Sequence, residues 1–110
     1  MNFIEVAQVN QVALGAMQSF PARDKQILIA NYDGKYYAID NKCPHEGTNL
    51  SDGKLEGKIV TCPHHGSKFD VTTGSCISGP KIGFLRLKAK NALHYEVKVD
   101  GNSIKVDIHD

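Results

Sequence analysis

The sequence has no window near the ~20 consecutive apolar residues that span a bilayer, and its start, Met1-Asn2-Phe3-Ile4-Glu5-Val6, lacks the basic and apolar regions of an export signal. No membrane association is expected, and a cytoplasmic protein is. Cysteine is scarce: there are three, an odd number that argues against a disulfide framework and suits a reducing compartment. Aromatic residues make up 7% and the formal net charge is +1, a poor basis for nucleic-acid binding. No long stretch repeats every 3.6 residues, so helix should be rare. Internal repeats and low-complexity tracts are missing as well.

What is present is strand and turn. Gln26 to Tyr32 and Lys35 to Asp40 are β-prone runs flanking Asp33-Gly34, a strong hairpin signal. His94 to Val99 and Ser103 to Ile108 repeat the pattern around Asp100-Gly101. Tyr95, Val97 and Val99 are expected on one strand face, and Ile104, Val106 and Ile108 on another. Phe3 to Val6 reads as a short strand and Asn10 to Ala16 as a connection. Residues 41–81 differ in character, holding six of the ten glycines and three of the four prolines. Short apolar pieces there, at 58–61 and 68–71, alternate with turn signals at 51–53, 56–57 and 73–74. The expectation is one all-β domain of 110 residues, large enough to bury a core alone as a monomer. It would be an antiparallel β-sandwich with a base of residues 1–40 and 82–110 and a small inserted β subdomain, 41–81.

That inserted segment carries the chemistry. Cys43-Pro44-His45-Glu46-Gly47-Thr48 and Cys62-Pro63-His64-His65-Gly66-Ser67 each bring a thiol and an imidazole to a short loop, and 16 residues separate Cys43-x-His45 from Cys62-x-x-His65. Two sulfur and two nitrogen ligands form a four-ligand site for a soft or borderline metal. A structural zinc finger usually pairs two Cys and then two His, whereas here each loop supplies one of each. A cluster with two inequivalent irons can take both thiolates on one iron and both imidazoles on the other. Zinc accepts the same four ligands, so a zinc-stabilised binding module is the rival reading. Its contact face would be the basic segment 54–90, where seven basic and two acidic residues sum to +5.

The spacing, with the glycine closing each loop, Lys68-Phe69-Asp70, Thr73-Gly74 and Ser78-Gly79-Pro80, resembles the binding motif of Rieske iron–sulfur proteins. This resemblance implies one [2Fe–2S] cluster per chain, with Cys43 and Cys62 on the inner iron and His45 and His65 on the outer. His64 is then a loop residue. Gly47, Gly66, Ser67 and Pro80 would lie around the cluster, the glycines (with Gly79) letting loop amides approach its sulfides. Such centres span roughly −150 to +300 mV. The high-potential members carry a disulfide between the cluster loops, at the positions of Thr48 and His64, which this chain lacks. Ser67 matches a position whose hydroxyl bonds a cluster sulfide, while Phe69 replaces a hydrogen-bonding Tyr. A low-to-intermediate potential follows. The function implied is that of a ferredoxin, not an enzyme: a one-electron carrier between a reductase and a terminal oxidoreductase such as a ring-hydroxylating oxygenase. Cys76 is expected to be a buried, unreactive thiol, and His94 and His109 to be exposed.

Overall fold

A computed structural model describes residues 2–44, 47–64, 66–79, 81–86 and 90–108, with Ile82 and Arg86 as backbone only. The chain is all-β and antiparallel. Its strands are β1 (Phe3–Gln8), β2 (Met17–Ala22), β3 (Lys25–Tyr32), β4 (Lys35–Asp40), β5 (Lys54–Glu56), β6 (Ile59–Thr61) and β7 (Lys68–Asp70). There follow β8 (Cys76–Ser78), β9 (Lys81–Ile82), β10 (Leu85–Arg86), β11 (His94–Tyr95), β12 (Val97–Asp100) and β13 (Ser103–Asp107). Two three-residue 3-10 turns, Val9–Gln11 and Leu50–Asp52, are the helical elements among the described residues. None is long and apolar enough to cross a membrane.

The organising strand is β3. Residues Ile27 to Ala30 are fully buried, and alternate side chains leave opposite faces. Ile27 and Ile29 join Ala38, Ile104, Val106 and Ile108 in one core. Leu28 and Ala30 join Ile39, Leu50, Val60, Phe69 and Val71 in a second. Sheet β11-β4-β3-β2 is therefore a middle layer, with sheet β1-β13-β12 on one face and sheet β5-β6-β7-β8 on the other. Among the described residues, hairpin β9-β10 is laddered to none of these three sheets.

The Asp33-Gly34 turn forms as expected, both residues having positive φ (55° and 85°), the signature of the hairpin turn that follows strand twist. Strand β2 is not legible in the sequence. It contains Pro21, which interrupts any strand pattern but is tolerated because β2 is the sheet's edge. The C-terminal run departs from expectation. It breaks at Glu96, so that His94 and Tyr95 pair with β4 while Val97 to Asp100 pair with β13. Tyr95 is buried and Val99 is exposed, so the two do not share a buried face. The tight turn is Gly101-Asn102, since Asp100 already pairs with Ser103. Ile104, Val106 and Ile108 do share the core.

Asp70 closes the outer end of the β5–β8 sheet. Its Oδ1 accepts from the Thr72 amide at 2.8 Å and the Thr72 hydroxyl at 2.5 Å. Its Oδ2 lies 3.5 Å from the half-exposed Lys58 ammonium. Burial by itself pushes this carboxyl's pKa up, but the Thr72 hydrogen bonds and the Lys58 charge together bring it below the ordinary value of 3.8. A depressed folded pKa stabilises the fold fully above the unfolded value, and the gain is lost as pH falls through the folded one. The Lys58 pair contributes little because Lys58 is solvated. Asp70→Asn is therefore expected to cost about 1–2 kcal/mol near neutral pH. Thermal melts should show that deficit shrinking as the pH falls below 3.8; a deficit unchanged in acid would exclude the carboxylate as its source.

Candidate metal centre

Each cysteine loop stands on a short antiparallel support. The first rises from the Lys42–Asn49 bridge just beyond β4. It is tied to the base by the Asn41 amide, which donates to the Gln26 carbonyl at 2.9 Å, and by the Leu50 amide, which donates to the Asn41 carbonyl at 2.7 Å. The Asn41 side chain, itself buried, accepts from the Ser51 amide at 2.9 Å. The second loop rises from the Thr61–Lys68 pair that ends β6 and begins β7.

The two loops are closed by the same pair of bonds. The Cys43 amide donates to the Thr48 carbonyl (2.8 Å), and the Gly47 amide returns to the Cys43 carbonyl (2.9 Å). Likewise the Cys62 amide donates to the Ser67 carbonyl (2.7 Å), and the Gly66 amide returns to the Cys62 carbonyl (3.2 Å). Gly47 and Gly66 sit at φ of 69° and 74°, a region open to glycine and strained for other residues. Their role is thus to turn the backbone. Their own amides close the loops.

Both thiols point inward. Cys43 and Cys62 are each 2% exposed and belong to one buried cluster with Leu28, Ile39, Leu50, Val60 and Phe69. Neither forms a disulfide. Two buried sulfur donors on paired loops suit zinc or an iron–sulfur cluster in the chemistry of their ligands. Ser67 is 1% exposed and Phe69 fully buried on the second loop's far side. Pro44, Pro63 and His64 are exposed. His45, His65 and Pro80 lie outside the described residues, and so does His109. Among the described residues there is no group of three or more His, Cys, Asp or Glu that could hold a metal ion. Cys76 is half-buried at the margin of the same cluster, where full burial was expected, because it lies on the edge strand β8. His94 is exposed, as expected.

The matched loop geometry has a counterpart in the sequence: the six-residue strings 43–48 and 62–67 align as Cys-Pro-His-x-Gly-Thr/Ser. In that alignment His45 corresponds to His64, and His65 corresponds to Glu46.

Residues 2–88 match the Rieske [2Fe-2S] domain family. The chain is 29% identical to the ferredoxin component of the naphthalene 1,2-dioxygenase system of Pseudomonas aeruginosa, over 96% of this chain and 95% of that one. It is 32% identical to the ferredoxin component of the naphthalene 1,2-dioxygenase/salicylate 5-hydroxylase systems of a Ralstonia species, over 90% and 88%. Among solved structures it resembles the ferredoxin of carbazole 1,9a-dioxygenase from Nocardioides aromaticivorans IC177, with a TM-score of 0.77 and 28% identity over 96% and 97% of the two chains. The match runs through both cysteine loops and the strands beneath them, and the chain therefore belongs to the Rieske [2Fe-2S] domain family, whose [2Fe–2S] cluster is its cofactor.

Proposed function

We propose that this chain is a cytoplasmic one-electron carrier, taking electrons from a reductase and passing them to the terminal oxygenase of an aromatic dioxygenase system. In this reading Cys43 and Cys62 hold the inner iron and His45 and His65 the outer, and residues 41–81 act as the cluster-binding unit on a base of 1–40 and 82–110. The observation that carries it is the pair of identically closed loops, each burying one thiol in a common core. Relatives matched over nearly their whole length are named as ferredoxin components of dioxygenase systems, which supports the carrier role and the choice of partners. Three free cysteines agree with a reducing compartment. The sheet β5-β6-β7-β8, all within 41–81, supports the division of the chain.

When bound, the cluster accepts and releases a single electron. The chain's part is to hold it and to set its potential. Burying Cys43 and Cys62 among Leu, Ile, Val and Phe side chains keeps water from the thiolates, and burial and hydrogen bonding near a cluster tune its potential. Ser67 is the buried hydroxyl on the second loop. Its hydrogen bond to a cluster sulfide would favour the more negative, reduced state. Ser67→Ala is expected to lower the midpoint by roughly 40 mV, the one-electron equivalent of about 1 kcal/mol. Protein-film voltammetry reads that shift directly, and a midpoint that stayed in place would remove Ser67 from the set.

The test of the whole reading is optical and magnetic. The purified protein should be red-brown, bleach on reduction, and give a low-temperature EPR signal only when reduced. A colourless protein holding one zinc per chain would instead make it the zinc-stabilised module. For the ligands, His65→Ala should lose the cluster and His64→Ala should keep it. The opposite result would assign the outer iron to His45 and His64, the pair that the alignment of the two loop sequences makes equivalent.

A further inference from the structure

Phe84 is 91% exposed, the most exposed of the large apolar side chains among the described residues, and Leu85 (57%) and Ile77 (56%) lie within the same nine-residue stretch. Isolated exposed apolar residues are ordinary on a monomer, but an adjacent exposed pair, Phe84-Leu85, at the tip of a hairpin marks a contact surface. The local fold does not call for this residue. Leu85 pairs with Ile82, which makes Gly83-Phe84 the two-residue turn of hairpin β9-β10. Gly83 supplies the positive φ (63°) that the turn requires. Position 84 has no such requirement, and an exposed phenyl ring adds nothing to the core.

Charge around the hairpin points the same way. Lys81 and Arg86 occupy directly paired backbone positions across it. Lys68, Lys81 and Lys90 are exposed, within the segment that sums to +5. Connectivity then limits how far the hairpin lies from the second cysteine loop. Ser78 is paired with Lys68, the residue after the second loop. From Ser78 the chain reaches Phe84 in six steps, at most about 20 Å.

We propose that Phe84, at the tip of hairpin β9-β10, is the apolar anchor by which this chain docks on its terminal oxygenase, entering an apolar recess rimmed by carboxylates that face the surrounding lysines. The proposal rests on the carrier reading above, and it adds the residue and the chemistry of the complementary surface. An aromatic anchor within a basic segment divides the work: the aromatic side chain sets the affinity, and the lysines set the encounter rate.

The experiment is stopped-flow reoxidation of the reduced holoprotein by the terminal oxygenase of a naphthalene 1,2-dioxygenase system, in which one electron passes from the reduced chain to the oxidised oxygenase. Phe84→Ala should lower the second-order rate constant by roughly tenfold or more, and Phe84→Leu should recover most of it. Lys81→Glu should slow the reaction chiefly at low salt. All three variants should keep the wild-type absorbance, midpoint potential and rate of oxidation by ferricyanide, which separates docking from damage to the cluster. A Phe84→Ala protein as fast as wild type overturns the anchor while leaving the carrier role intact. So does one slowed only in accepting electrons from the reductase, since the anchor then serves the other partner. A wild-type chain that ferricyanide oxidises but this oxygenase does not would remove the acceptor reading, and the anchor with it.

Discussion

Cys62→Ser is expected to yield a colourless protein with no EPR signal after reduction and a markedly lower melting temperature. The side chain is 2% exposed and packed in the core shared with Val60 and Phe69, so the substitution acts twice. It replaces a soft sulfur donor by a harder oxygen that suits iron–sulfur ligation poorly. It also leaves a hydroxyl in an apolar site, at a cost of about 1–3 kcal/mol if unpaired. Losing the cluster then removes the stabilisation that any ligand of the native state confers by mass action. Cys43→Ser should behave alike, because its loop is closed by the same two hydrogen bonds. Cys76→Ser provides the contrast. That thiol is half-buried at the edge of the cluster of core residues, and its variant should stay coloured with a melting temperature close to wild type. Absorbance, iron content and a thermal melt on the three proteins decide the matter. A Cys62→Ser protein that retained full iron and colour would sink the ligand assignment.

Gly53→Ala is expected to be severely destabilising. Gly53 follows the Leu50–Asp52 turn, and its amide donates to the Leu50 carbonyl at 2.9 Å. A Cβ at this position would lie 1.9 Å from the Thr61 carbonyl oxygen and 3.1 Å from its carbon, with the Leu50 carbonyl oxygen at 3.2 Å. All three are backbone atoms, so no flexible side chain can swing aside. Relief requires β5 to move away from β6, breaking the Lys54–Thr61 pair. Thr61 directly precedes Cys62, and the displacement passes straight into the second loop. The expected loss is on the order of 3–5 kcal/mol, with reduced cluster content in what folds. Gly57→Ala is the matched control. It adds a methyl group at φ +61° but meets only the Tyr32 ring, at 4.0 Å, so its cost should be about 1–2 kcal/mol of backbone strain. Urea denaturation of both variants tests the ranking. Equal losses would show that the close approach to Thr61 costs no more than the left-handed strain at Gly57.

Local signals made several of these features legible. The Asp33-Gly34 hairpin could be read because a two-residue turn with positive φ at both positions selects its residues strongly. The alternation of Ile104, Val106 and Ile108 placed them in the core because a strand's period of two is a property of the backbone itself. Cys43 and Cys62 stood out because thiols in Pro- and Gly-bounded loops have few other uses, and both proved buried. Strand β2 escaped notice because its Pro21 is acceptable only at a sheet edge, and which strand lies at an edge is settled by neighbours far away in sequence. The break at Glu96 escaped for a similar reason. Nothing in Tyr95-Glu96-Val97 says that one residue will pair with β4 and the next but one with β13.

By itself, then, the amino-acid sequence determined the all-β class, the two turn-bounded hairpins and the pair of cysteine loops, since each depends on chemistry local to a few positions. Only the tertiary structure decided that β3 is buried on both faces, that the two cysteine loops close on identical hydrogen bonds, and that Gly53 is indispensable for space and not for its φ. Those outcomes depend on which distant backbone atoms come within a few ångströms of one another. That distance is set by the packing of three sheets, and no stretch of the chain encodes it alone.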